Sequence, residues 1–129
     1  MSQDYRDLVV WQKAIDLTVS IYKLTRTFPK EEIYGLTAQM RRASVSIASN
    51  IAEGRGRLNS AEFRQFLGIA QGSTYELLTQ LGVASKLGIA SGAQIEEAEA
   101  LGNEVSRMLT SFIQTITASE KRKRVSASS

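Results

Sequence analysis

The sequence predicts an all-α chain, an up-down-up-down four-helix bundle, from three observations. Apolar residues recur at alternating steps of three and four through four separate stretches. Capping residues and glycines stand where those stretches begin and end. The connections between them are short, which favours antiparallel neighbours. At 129 residues with 43% apolar side chains, the chain suffices for one core and not two.

The first stripe is Val10, Ala14, Leu17, Ile21, Leu24 and Phe28, widened by Trp11, Ile15 and Tyr22. It predicts a helix over 8–28, stopped by Pro29, because the residue before a proline is pushed out of helical geometry. The second stripe, Leu36, Met40, Ala43, Ile47 and Ile51, predicts a helix over 35–54 ending at a left-handed Gly54. The third, Phe63, Phe66, Leu67, Ala70, Thr74, Leu77, Leu81 and Ala84, predicts 60–87. Asn59 with Glu62 has capping-box spacing before it, and Gly88 follows it. The fourth, Ile95, Ala98, Leu101, Val105, Met108, Phe112 and Ile116, predicts 92–118, with Ser91 and Gln94 at its start. Residues 1–119 thus form the bundle. KRKRVSASS within 120–129 is small, polar and charged, so composition assigns it to a basic disordered tail.

Composition narrows the chemistry. Cysteine and histidine are absent, which removes thiolate nucleophiles, disulfides, and the commonest metal ligand and neutral-pH acid–base group. The remaining carboxylates, including Glu31, Glu32, Glu96, Glu97, Glu99 and Glu104, have no companion nucleophile or metal set. The Glu-x-x-His pattern of di-iron bundles cannot occur. The reading is a protein that is not an enzyme, with no cofactor and no metal, and the residues identify no small-molecule substrate. MSQDYRD lacks a basic start followed by an apolar run, and no window has the length of a membrane span, so a cytoplasmic protein is expected.

Charge is segregated. The tail holds four cations against Glu120, a net +3 that equals the whole chain's net charge, so residues 1–119 balance to zero. Within them, residues 36–72 carry five arginines against two glutamates, and residues 91–119 carry four glutamates against Arg107. The five are Arg41, Arg42, Arg55, Arg57 and Arg64. Gly54-Arg55-Gly56-Arg57 fits neither a dinucleotide loop nor a Walker loop, and it follows a helix C-terminus, where the dipole disfavours phosphate. Its glycines read as the end of a helix. The arginines read either as a solvated face or as a hairpin surface that grips phosphate or carboxylate, for which arginine is better suited than lysine. Lys121, Arg122, Lys123 and Arg124 either grip nucleic acid through counterion release or only solubilise. Ser44 in RRAS belongs to a segment whose Ala43 is buried, which argues against a kinase site. Small residues crowd the second and third helices, through Ser44, Ser46, Gly68 and Gly72 among others, and allow close packing or a subunit interface. Asn50, beside the second stripe, reads as a buried amide that fixes register.

These residues also carry a resemblance. DLVVWQKAIDL, YKLTRTFPKEEIYGLTAQMRRASVSIASNIAEGRGR and EFRQFLGIAQGSTYELLTQLGVASKLG resemble, over roughly residues 7 to 88, the four-helix-bundle family of 23S ribosomal RNA intervening-sequence proteins. The resemblance implies a four-helix bundle that assembles into a ring-shaped homopentamer. A relative similar in fold, the accessory variability-determinant protein of diversity-generating retroelements, binds nucleic acid with a basic surface. It implies RNA or DNA as partner, with Arg41, Arg42, Arg55, Arg57 and Arg64 contacting phosphate in an accessory or scaffold role. The competing expectation is an assembly module in which Arg42 of one subunit meets Glu96, Glu97, Glu99 and Glu104 of the next, as a head-to-tail ring permits.

Overall fold

The computed structural model describes residues 4–128. A 3-10 turn at Tyr5–Asp7 leads into α1 (Val9–Thr25). A 3-10 turn at Lys30–Glu32 and a π turn at Ile33–Thr37 lead into α2 (Ala38–Arg55), followed by α3 (Ser60–Leu87) and α4 (Gly92–Ser128). No strand occurs among the described residues. Each helix packs on its sequence neighbour, and α1 closes against α4. Cross-helix pairs run in opposite order along successive seams: Thr18 with Ser44 and Thr25 with Arg41 between α1 and α2, Ser46 with Ser73 and Gly54 beside Phe66 between α2 and α3, Arg64 with Glu120 and Gln71 with Ser106 between α3 and α4. The four helices therefore alternate in direction.

The apolar stripes meet on the axis. Every member of the first is buried, and Leu17, Ile21, Met40, Ile47, Ile51, Leu67, Leu77, Leu81 and Leu109 are wholly enclosed. Leu109 lies outside the fourth stripe, and Phe66, counted in the third, is only half-buried. Asn59 caps α3 by accepting from the Glu62 amide at 2.9 Å, and Gly88 ends it in the left-handed region at φ 65. Asn50 donates to the Ser46 carbonyl and hydroxyl, while the Ser46 and Ser73 hydroxyls share a hydrogen bond across α2 and α3. That cluster ties the register of two helices, since a slip would strand its polar groups in a half-buried seam.

Four expectations are corrected. The first helix ends at Thr25 rather than 28; Phe28 donates back to the Thr25 carbonyl in a turn, and Pro29 is extended. The second starts at Ala38 rather than 35, because Gly35 takes non-helical angles (φ −106, ψ −113) and Glu32 accepts from the Leu36 amide. Gly54 is neither left-handed nor terminal: α2 continues to Arg55, with Gly56 as its cap at φ −79. Gly54 is instead a close-approach position. A Cβ there would stand 2.6 Å from Phe66 Cβ and 3.0 Å from Phe63 Cδ1.

The fourth correction concerns the tail. Residues 120–128 are helical, not disordered, and extend α4 to 37 residues. No glycine or proline interrupts 119–128, and Ala, Glu, Lys and Arg are good helix formers. At ~1.5 Å per residue α4 is about 55 Å long against about 26 Å for α1, so its final turns reach past the start of α3.

Candidate nucleic-acid interface

The antiparallel order places the ends of α2 and α4 and the start of α3 at one end of the bundle. Arg64, in the second turn of α3, donates from Nε to Glu120 Oε1 at 2.8 Å, and Glu120 is 17% exposed. Ser60 reaches the other oxygen of the same carboxylate at 3.4 Å. This clamp fixes the point at which α4 leaves the bundle. Beyond it, Lys121, Arg122, Lys123 and Arg124 are all exposed. Successive helical residues turn by about 100°, so the four cations point to all sides of the projecting helix.

Two more arginines join this end. Arg55, in the last turn of α2, lies with its guanidinium over the Phe63 ring, centroid distance 5.7 Å, and Arg57, in the connection to α3, lies 4.7 Å over Phe66. Arg57 also pairs with Glu53 at 3.4 Å. Stacking restricts the long side chains, a preorganisation that favours planar anion recognition. Nothing in the sequence signals these pairings beyond the presence of aromatics in the first turns of α3.

Arg41 and Arg42 do not join them. They lie in the first turns of α2, about 20 Å along the helix from Arg55. Arg41 stacks on Tyr22 at 4.5 Å and donates from Nε to Thr25 Oγ1 at 2.9 Å. Arg42 is exposed on the outer side of α2. The five arginines thus form two groups, not one hairpin surface.

Of the acidic residues, Glu104 pairs with Lys13 of α1 at 3.3 Å, within the chain. Glu96 and Glu97 are exposed near the start of α4, Glu99 is half-buried, and Glu97 borders a groove with Asp16 and Lys23 of α1. Among the described residues no cluster of three or more potential metal ligands occurs, and no helix is long and apolar enough to cross a membrane.

The family model of the 23S rRNA-intervening sequence protein matches residues 6–111, most of the chain. The chain belongs to this family. The 23S rRNA-intervening sequence proteins thus supply the frame for α1 to α3 and most of α4, while the match ends before the projecting basic turns. A solved structure from Bacteroides thetaiotaomicron, described as a protein with unknown function from the S23 ribosomal protein family, is similar to it at a TM-score of 0.76 and 25% identity. The similarity covers 82% of this chain and 96% of that one. Comparison with curated proteins gives no match.

Proposed function

We propose that this intervening-sequence protein binds RNA or DNA through the basic end of its bundle, as a non-enzymatic, cytoplasmic accessory or scaffold factor that works as a homo-oligomer, a five-subunit ring. The observation that carries the reading is the convergence of Arg55, Arg57 and Arg64 with the helical Lys121–Arg124 turn at one end of the molecule. Their combined charge suits a phosphate backbone. Such binding is electrostatic and independent of sequence.

The test is fluorescence anisotropy with a labelled structured RNA and a matched DNA duplex across a salt series. The logarithm of affinity should fall linearly with the logarithm of salt. Replacing Lys121, Arg122, Lys123 and Arg124 by alanine should flatten that slope by up to about 3.6 on a duplex, from roughly 0.9 per phosphate contact. Arg57→Ala should flatten it by about one contact more. Absence of salt-sensitive binding in the intact protein would sink the reading.

A second observation favours the assembly reading. Gly68, Gly72 and Gly82 lie on one outward face of α3, with open space where each Cβ would stand, alongside Tyr75 at 54% exposure. Glycine inside an exposed helix costs about 1 kcal/mol relative to alanine, and no contact within the chain requires it there. Close approach by a neighbouring subunit supplies a reason. On an isolated chain, Gly72→Ala should raise stability by up to ~1 kcal/mol. In an oligomer sealed along this face, the same change should lower the mass measured by light scattering. Arg42→Glu dissociating the oligomer while nucleic-acid binding is absent would establish assembly as the role of that arginine.

A further inference from the structure

A pocket at the corner between α1 and α2 lies at the opposite end from Arg57. It has a volume of about 490 Å³, within the range of roughly 300–1,000 Å³ usual for small-molecule sites. Phe28, Ile33 and Ala38 give it apolar walls, and Arg26, Lys30 and Arg41 line it as well. No carboxylate lines it. Of the two acidic residues in the adjoining turn, Glu32 is engaged by the Leu36 amide, and Glu31 is exposed.

Arg41 is the built element of this pocket. Its guanidinium is held from behind by the Tyr22 ring and by Thr25 Oγ1, and Thr25 is itself anchored by donating to the Ile21 carbonyl at 2.8 Å. Only Nε is used in that bond. The two terminal nitrogens have no other hydrogen bond to the described residues, and they belong to a half-buried side chain on the pocket wall. A planar donor fork fixed in this way, with two further cations and apolar walls, matches an anion with a flat apolar body.

We infer that this corner pocket binds a phosphate monoester carried on a ring system, as in a nucleoside monophosphate. A phosphate monoester carries close to two negative charges near neutrality, which suits a pocket lined by three cations better than the single charge of a carboxylate does. Arg41 takes the phosphate oxygens through its terminal nitrogens. Arg26 and Lys30 supply charge at the rim, and Phe28 and Ile33 cover the ring. The same chemistry occurs in a free nucleotide and at the 5′-phosphorylated end of a strand.

The test is isothermal titration calorimetry of the full chain with adenosine 5′-monophosphate at low salt. Adenosine and inorganic phosphate serve as the two half-ligands. One saturable site per chain is expected for the nucleotide, with each half-ligand at least about tenfold weaker. Arg41→Met, which keeps the stem and removes the charge, and Arg26→Gln on the surface should each weaken binding, Arg41→Met by about tenfold or more. Arg57→Ala should leave it unchanged. Competition by a 5′-phosphorylated hexanucleotide as strong as by the nucleotide would identify a strand end as the source, and weaker competition a free nucleotide. No saturable site, adenosine binding as tightly as the nucleotide, or an equal loss in Arg57→Ala and Arg26→Gln would overturn the inference. The Arg26 variant decides the matter even if Arg41→Met is destabilised.

Discussion

Replacing Gly54 by alanine is expected to lower the thermal midpoint by up to about 7 °C, the opposite of the usual gain when alanine replaces a helical glycine. The added methyl would lie 2.6 Å from Phe66 Cβ, closer than non-bonded carbon atoms approach. Because the obstacle is a Cβ and not the end of a side chain, no rotamer change removes it, and truncating Phe66 to alanine leaves it in place. Helices α2 and α3 must move apart. Overpacking of that kind typically costs 1–3 kcal/mol, which outweighs the ~1 kcal/mol that alanine contributes to helix propensity. Gly102→Ala provides the control. Its nearest obstacle is Leu78 Cδ2 at 2.8 Å, a terminal methyl of a half-buried side chain, so the substitution should be close to neutral. Thermal unfolding followed by circular dichroism separates the two, and equal effects would show that the α2–α3 spacing is not set by Gly54.

Ser119→Pro should melt the end of α4 while leaving the core intact. A proline there removes the amide that bonds to the Thr115 carbonyl and crowds that carbonyl, a local penalty of about 3 kcal/mol. Residues 120–128 make no contribution to the buried core, so the thermal midpoint should move little. The helical signal should fall by an amount matching those residues, and the Arg64–Glu120 clamp should open. All charges are retained, so the salt slope for RNA should persist while affinity drops by about tenfold, reflecting the ordering of a freed segment on binding. An unchanged affinity would mean that the cations act without the helix that carries them.

The fold was legible where physical signals are local. Asn59 and Gly88 bracket α3 because a capping side chain and a left-handed glycine act within a few residues of the helix they end. The end of α4 was not legible, because a string of charged residues reads as a solvated coil when nothing shows what it adjoins. Glu120, paired with a residue 56 positions away, is what secures the chain at that point. Gly54 misled for a related reason. A glycine near a helix end has the same appearance whether it turns the chain or admits an aromatic ring, and only the α3 backbone distinguishes the two. The candidate site was visible as a list of arginines. Their division into two groups depends on α2 being long enough to hold Arg41 and Arg55 at opposite ends. The rings beneath them depend on packing.

The sequential packing of the helices also sets a time course. Contacts between α1 and α2, α2 and α3, and α3 and α4 join segments close in the chain, so little loop entropy opposes them, and folding should be fast for a protein of this size. The exception is the seam between α1 and α4, which joins the two ends. During synthesis three helices emerge and pair before the fourth can close them. Until then the core that Val10, Ala14 and Leu17 belong to lacks the part that α4 supplies, Val105 and Leu109 among it. The interval between the appearance of α3 and the completion of α4 is the period in which the nascent chain is most exposed to aggregation.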